Sequence, residues 1–140
     1  MQVIPYRRLD GYRYQTRRNY AVAIPIKGIA FRRPFFSLST DGKLSICSGY
    51  AWDGASGGVR DTRKNLGASL VHDVLYQSMR EGLLPTAVRR EVDDLFGAHC
   101  VALGTSRARA RLYVWALRVF GARFARRQPP RHPVEEMPAP

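Results

Sequence analysis

A histidine and an aspartate stand side by side in the segment SLVHDVLYQSM, where the surrounding apolar residues recur with a helical period. Tyr76 follows His72 at the spacing of one helical turn. On a wheel of about 100° per residue, both fall on the apolar face together with Met79, while Asp73 falls at its edge. An imidazole on such a face acts as a general base when a carboxylate orients its ring. The segment therefore predicts a candidate catalytic histidine, His72, with Tyr76 one turn further along the same face.

A second helical pattern, around VDDLF, supplies a carboxylate. Asp93 lies at the edge of the apolar stripe beside Phe96, and Asp94 points away from it toward solvent. The short connection EGLLPT predicts that the two helices pack antiparallel, which brings Asp93 within reach of the His72 ring. We expect a dyad in which Asp93 orients one ring nitrogen and leaves the other as a base. The alternative is a core histidine bonded to a backbone carbonyl, with Asp73 as a surface charge.

A glycine-rich loop, GYAWDGASGGVRD, directly precedes the first helix. Glycine allows backbone carbonyls to approach a cation closely, and calcium takes oxygen ligands from carbonyls and carboxylates. The loop therefore predicts an oxygen-ligand site for Ca²⁺, built from Asp53, Gly54 and Gly57 together with Asp73.

The elements that position these residues fall into two groups. Residues 1–50 are rich in aromatic and β-branched residues, which predicts strands, with turns at Asp10-Gly11 and Asp41-Gly42. Residues 51–61 form the glycine-rich loop, and three helices follow within residues 62–126. The fold class predicted is α+β: a small antiparallel N-terminal sheet with hairpins, followed by a three-helix unit.

The helix bounds are set by capping and stop signals. The first helix is expected from about Thr62 to Arg80, with Asp61 or Thr62 as its N-cap. The second is expected from about Thr86 to Leu103, and the third from Thr105 or Ser106 to about Arg126. The proline-rich residues 128–140 predict a flexible tail, which leaves a single domain over residues 1–127.

The composition is that of one folded, basic domain. The chain has 140 residues, of which 45% are hydrophobic and 11% aromatic, and its formal net charge is +12. Most of the positive charge is arginine, since lysine occurs only at Lys27, Lys43 and Lys64. Arginine forms paired hydrogen bonds with phosphate and carboxylate, so polyanionic partners are expected: nucleic acid, anionic envelope or lipid surfaces, or acidic proteins. A solvated basic surface is the alternative.

The third helical stretch, SRARARLYVWALRVFGARFARR, mixes arginines with bulky apolar residues. On the helical wheel, Leu112, Trp115 and Val119 share one face, and Arg107 and Arg111 lie on another. Such a basic amphipathic helix suits an anionic membrane or a phosphate backbone. The alternative is a packed third helix with a solvated arginine face.

Two cysteines, Cys47 and Cys100, lie in segments of different kinds and predict no disulfide framework, which favours a reducing compartment. The apolar run AVAIPIKGIAF is short and is broken by Pro25 and Lys27. We therefore expect neither a transmembrane segment nor a signal peptide.

Three motifs in order, GYAWDGAS (49–56), HDVLY (72–76) and VDDLF (92–96), resemble a domain family of unknown function that phages and prophages encode. The resemblance spans about residues 40 to 122. Family members commonly carry a proline soon after the loop serine, where this chain has Gly57-Gly58. The resemblance implies a phage or prophage origin, location in the bacterial host cytoplasm or the virion, and other phage structural proteins as partners.

The pattern His-Asp-x-x-Tyr in HDVLY also resembles the catalytic helix of secreted phospholipases A2. That resemblance implies that His72 deprotonates the attacking water, that Asp93 orients His72, and that Tyr76 supports the pair. It also implies that Asp73 and loop carbonyls hold calcium. The disulfides that brace those enzymes are absent here.

Two hypotheses of function follow. One is a small hydrolase that uses His72 with Asp93, assisted by a cation through Asp73, and acts on lipid or cell-envelope material during phage entry or lysis. The other is a non-catalytic virion, tail or assembly component in which the His-Asp helix is structural and the arginines contact DNA or an acidic protein. The residues leave open whether the protein is an enzyme.

Overall fold

The computed structural model describes residues 4–8, 14–54 and 59–127. Within these ranges, short antiparallel strands occupy the N-terminal half, and three helices with one further helical turn follow. The predicted α+β class is therefore confirmed. None of the helices in the described ranges is long and apolar enough to span a bilayer.

The strands form two antiparallel sheets rather than one. The first sheet has the order β1-β2-β7, with strands Tyr6–Arg8, Tyr14–Thr16 and Ala51–Trp52. The second has the order β3-β6-β5-β4, with strands β3 Tyr20–Ala23, β4 Phe31–Arg32, β5 Phe36–Leu38 and β6 Lys43–Ile46. Trp52 therefore belongs to a strand, although its sequence position predicted a loop, because β7 pairs with β2 across a large sequence separation.

The hairpin predicted at Asp41-Gly42 is present between β5 and β6, where Leu38 pairs with Leu44. Gly42 has φ +88°, and a Cβ there would lie 2.4 Å from the carbonyl oxygen of Ile24. Glycine is required at this turn because only it combines a positive φ with such a close approach of the backbone. The second predicted turn, at Asp10-Gly11, lies outside the described residues, as does the proline-rich tail.

The helices are α1 Leu66–Arg80, α2 Arg89–Ala102, α3 Arg107–Phe120 and the short α4 Ala122–Ala125, with a 3-10 turn at Thr86–Val88. The expected start of the first helix near Thr62 is wrong. The side chain of Asn65 accepts the Thr62 N–H and donates to the Arg60 carbonyl, which holds a turn just before Leu66. The third helix, expected to continue to Arg126, ends at Phe120 and resumes as α4.

The core is organised around α1, of which eleven of the fifteen residues are buried. One side of the helix packs against the sheets, where Trp52 Nε1 donates to Ser69 Oγ at 3.1 Å. Its other side packs against α2, in a cluster that includes Ala68 of α1, Phe96 of α2 and Leu117 of α3. Because α1 is covered on both sides, any polar residue on its packed faces needs a partner within the protein.

Candidate functional site

The two helices that carry the predicted dyad run antiparallel. Gly67 at the start of α1 lies near Leu103 at the end of α2, and Tyr76 lies near Asp93. This arrangement places His72 Nε2 3.0 Å from Asp93 Oδ1. The structure therefore brings the two predicted residues together, and His72 is not the backbone-bonded core histidine of the alternative interpretation.

Asp93 is fully buried, and its charge is compensated by three donors. The Tyr76 hydroxyl donates to Asp93 Oδ1 at 2.7 Å, the same oxygen that His72 contacts. Arg89 Nη1 lies 3.4 Å from Oδ2 and 3.3 Å from the carbonyl oxygen of Leu117. A buried carboxylate is stable only with such partners, so Asp93 joins α1, α2 and α3 in one network.

The tyrosine is a permanent donor in this network. Burial, followed by its hydrogen bond to Asp93, raises the pKa of the Tyr76 hydroxyl well above its usual value. The hydroxyl therefore keeps its proton across the pH range in which the protein functions, and the predicted supporting role of Tyr76 has a physical basis.

Two aromatic rings pack against the imidazole of His72. The Tyr76 ring lies with its centroid 4.1 Å from that of His72, and the Phe96 ring packs edge-on at 5.2 Å. An ionised carboxylate only accepts hydrogen bonds, which assigns the proton of the neutral ring to Nε2 and the lone pair to Nδ1. No described residue forms a hydrogen bond with Nδ1. The ring is thus held in the tautomer that a general base needs.

Asp73 occupies a different environment, on the side of α1 that faces the end of the second sheet. It is half-buried, and its Oδ2 accepts a hydrogen bond from the Tyr50 hydroxyl at 3.1 Å. Burial raises the pKa of Asp73, and the neighbouring Asp53 adds to the increase, while Arg80 and Tyr50 oppose it. Asp73 is therefore not the fully solvated surface charge that the alternative interpretation predicted.

The described residues do not complete a set of calcium ligands. Asp73 and Asp53 are close enough to interact electrostatically, but no group of three or more acidic, histidine or cysteine side chains lies together in the described ranges. Gly54, with φ +89°, packs against the Asp61 carboxylate, and Gly57 lies outside the described residues. Calcium takes six to eight oxygens, so the cation stays a prediction.

Sequence reasoning missed two contributors, Arg89 and Tyr50. Arg89 precedes Asp93 by one helical turn, and this spacing on one helix could have predicted their ion pair. Tyr50 stands inside the motif GYAWDGAS, but its contact with Asp73 depends on how the sheet packs against α1. Asp61, considered only as a helix cap, instead accepts a hydrogen bond from the Tyr14 hydroxyl at 3.0 Å.

Comparisons with protein-family models, with curated proteins and with solved structures found no match to this chain. The resemblances to the phage family and to phospholipases A2 therefore remain predictions, and the geometry of the site is the evidence for its chemistry.

Proposed function

We propose that the protein is a phage- or prophage-encoded hydrolase in which His72 is the general base and Asp93 orients it, acting on lipid or cell-envelope material. The observation that supports this proposal is the pair of contacts on one carboxylate oxygen: His72 Nε2 at 3.0 Å and the Tyr76 hydroxyl at 2.7 Å. A histidine held in this way by a buried carboxylate has the arrangement of an activated base.

In the proposed reaction, His72 Nδ1 takes a proton from water while the water oxygen attacks the carbonyl carbon of an ester or amide. The resulting imidazolium is stabilised by the Asp93 carboxylate. The carbon–heteroatom bond of the tetrahedral intermediate then breaks, and the proton passes from Nδ1 to the leaving oxygen or nitrogen. Water must reach Nδ1 for this chemistry. His72 is 4% exposed, and no described residue forms a hydrogen bond with Nδ1.

The test is hydrolysis of phospholipid vesicles and of peptidoglycan, each with calcium and with a chelator. Wild type is compared with His72→Gln and with the matched control His99→Gln, a half-buried histidine on α2 outside the network. We expect turnover that His72→Gln abolishes and His99→Gln retains. Turnover that persists in His72→Gln would refute the role of His72. An Asp73→Asn variant that loses only the calcium-dependent part of the activity would support the predicted cation.

The burial of the His72–Asp93 network favours a second function. Asp93 is fully buried and His72 nearly so, and Arg89 extends the contacts to the backbone of α3. Together with Tyr76, these side chains would serve equally to stabilise the packing of the three helices in a non-catalytic virion or assembly component. This alternative predicts that wild type is inert on every substrate and that His72→Leu lowers the free energy of unfolding by about 1–3 kcal/mol, because leucine has no donor for Asp93.

A further inference from the structure

The most exposed apolar side chains of the described residues lie together on α3. Leu112, Trp115 and Val119, three residues that share one helical face, are 60%, 58% and 53% exposed. The positions of α3 that are fully buried are instead Ala110 and Leu117. The helix therefore turns its larger apolar side chains away from the core. Packing of the domain does not explain this arrangement.

Two further exposed aromatic side chains lie at the end of α3 and in α4. Phe120 and Phe124 are also exposed, and Arg123 lies over the Phe124 ring at 5.0 Å. We call the exposed side chains of Leu112, Trp115, Val119, Phe120 and Phe124 the apolar face. Aromatic residues at its centre and end are suited to the boundary between water and hydrocarbon, where an amphipathic ring is most stable.

Arginines border the apolar face on both sides. On a wheel of about 100° per residue, Arg107, Arg111 and Arg118 lie on one border of Trp115, and Arg109 lies on the opposite border. All four are exposed, and the sequence of α3, RARARLYVWALRVF, contains no acidic residue. Only Arg118 has an acidic partner in the described ranges, Asp94 on α2. The face thus combines exposed hydrocarbon with uncompensated positive charge.

A groove between α2 and α3 lies where arginines and apolar side chains meet. It has a volume of about 410 Å³, and Arg107, Arg111 and Arg118 line it together with Asp94, the ion-pair partner of Arg118, and the apolar side chains of Val101 and Trp115. Arginine guanidinium groups bind phosphate oxygens, and the adjacent apolar side chains suit acyl chains.

From this combination we propose that the apolar face and its arginine border form a docking surface for anionic phospholipid bilayers. A second copy of the chain fits less well, because pairing of two α3 faces would bring arginines against arginines without a carboxylate from either helix. Nucleic acid would engage the arginines but leave Leu112 and Val119 exposed to water. An anionic bilayer satisfies both the charge and the hydrocarbon.

The surface is separate from the proposed hydrolytic site. The only described hydrogen bond between α3 and the side chains of the His72–Asp93 network is the one from Arg89 to the backbone carbonyl of Leu117. Vesicle binding therefore does not require hydrolysis, and His72→Gln is expected to bind as wild type does. Failure of the proposed reaction and failure of bilayer docking are thus measured independently.

The experiment measures binding of the full chain to vesicles of phosphatidylcholine alone and of phosphatidylcholine mixed with an equal part of phosphatidylglycerol. Tryptophan fluorescence reports the contact directly, because Trp115 is exposed whereas Trp52 is 2% exposed and already in an apolar environment. We expect binding to the anionic vesicles, with a blue shift of the emission that arises from Trp115. Pure phosphatidylcholine should bind much more weakly.

Two pairs of variants separate the hydrocarbon from the charge. The double change Leu112→Ser with Val119→Ser should weaken binding by roughly tenfold or more, because each exposed aliphatic side chain loses its burial in the bilayer. The matched control is Phe35→Ser, which removes an exposed apolar side chain outside the apolar face, before β5, and should bind like wild type.

For the charge, Arg107→Gln with Arg111→Gln should weaken binding about 30-fold, since each basic residue near an anionic surface contributes a factor of about five. Arg17→Gln with Arg18→Gln removes the same charge from exposed positions after β2, and should have a clearly smaller effect.

Three results would overturn the proposal. The first is no binding to the anionic vesicles. The second is binding that depends on the arginines but not on Leu112 and Val119 and shows no shift of Trp115, which would indicate contact with phosphate alone, as in nucleic acid. The third is self-association of wild type that the Leu112→Ser with Val119→Ser change abolishes, which would assign the face to a second copy of the chain.

Discussion

Removal of a single hydroxyl tests the buried network most directly. In Tyr76→Phe the ring that packs on His72 at 4.1 Å is retained, while the 2.7 Å hydrogen bond to Asp93 Oδ1 is lost. Asp93 then keeps His72 on that oxygen and a long contact with Arg89 on the other. The variant therefore changes one hydrogen bond and little of the packing.

The expected cost follows from the charge and burial of the acceptor. A hydrogen bond to a charged group contributes about 1.5–3 kcal/mol to stability, and Asp93 is fully buried, so water cannot replace the lost donor. We expect Tyr76→Phe to lower the free energy of unfolding by about 2 kcal/mol. With a urea dependence of about 1–3 kcal/mol per molar, the midpoint of unfolding should fall by roughly 1 M.

The assay is equilibrium urea unfolding followed by circular dichroism, with Tyr113→Phe as the matched control. Tyr113 is half-buried on α3, packs against Phe96 at a centroid distance of 6.4 Å, and its hydroxyl forms no hydrogen bond with the rest of the described chain. Its replacement should change stability by less than about 0.5 kcal/mol. If the two variants unfold at the same urea concentration, the Tyr76–Asp93 hydrogen bond contributes nothing to stability and the buried Asp93 carboxylate does not depend on this donor.

Three further predictions concern other parts of the fold. Cys100 is buried, which raises the pKa of its thiol to about 12, and Cys47 is only half-buried. A thiol reagent at about pH 8 should therefore label Cys47 in the folded protein and Cys100 only after unfolding. Rapid labelling of both cysteines would contradict the structure. Burial also lowers the pKa of His99 below 6.5, so the contribution of neutral His99 to stability is complete above about pH 6.5 and is lost as the pH falls through the folded-state pKa. The free energy of unfolding, measured at several pH values, should therefore fall less toward pH 5 in His99→Leu than in wild type. Parallel pH dependences of the two proteins would refute this. A Cβ at Gly121 would lie 2.6 Å from the Tyr76 hydroxyl, so Gly121→Ala should lower the free energy of unfolding by about 1–3 kcal/mol, and unchanged urea unfolding would show that the helix end moves freely.

Much of the candidate site was predictable from local patterns. The spacing of His72 and Tyr76 places both on one helical face, and a short connection between two helices makes an antiparallel pair the simplest packing. These two rules were enough to predict the contact of His72 with Asp93, which the structure shows at 3.0 Å. The hairpin at Asp41-Gly42 was also predictable, because a tight turn depends on residues that are adjacent in sequence.

Contacts between distant segments were not predictable in this way. The start of α1 at Leu66 depends on the side-chain hydrogen bonds of Asn65, and the strand at Trp52 depends on pairing with β2. Tyr50 meets Asp73 only because the sheet packs against that side of α1. Such contacts arise from the three-dimensional arrangement of the elements, and the sequence of one element does not indicate which other element it contacts.

The amino-acid sequence by itself determined which residues share a face of each helix, because the helical period is a local property of the backbone. It therefore identified the stripe of Leu112, Trp115 and Val119, but equally allowed that stripe to pack inward. The tertiary structure decided its direction: α2 covers the side of α3 that carries Ala110 and Leu117, where small and medium side chains permit close helix packing. Gly97 on α2 shows how close this packing is, since a Cβ there would lie 2.6 Å from Val114. Which face of an amphipathic helix is buried depends on how neighbouring helices fit against it, and here that fit leaves the larger apolar side chains facing outward.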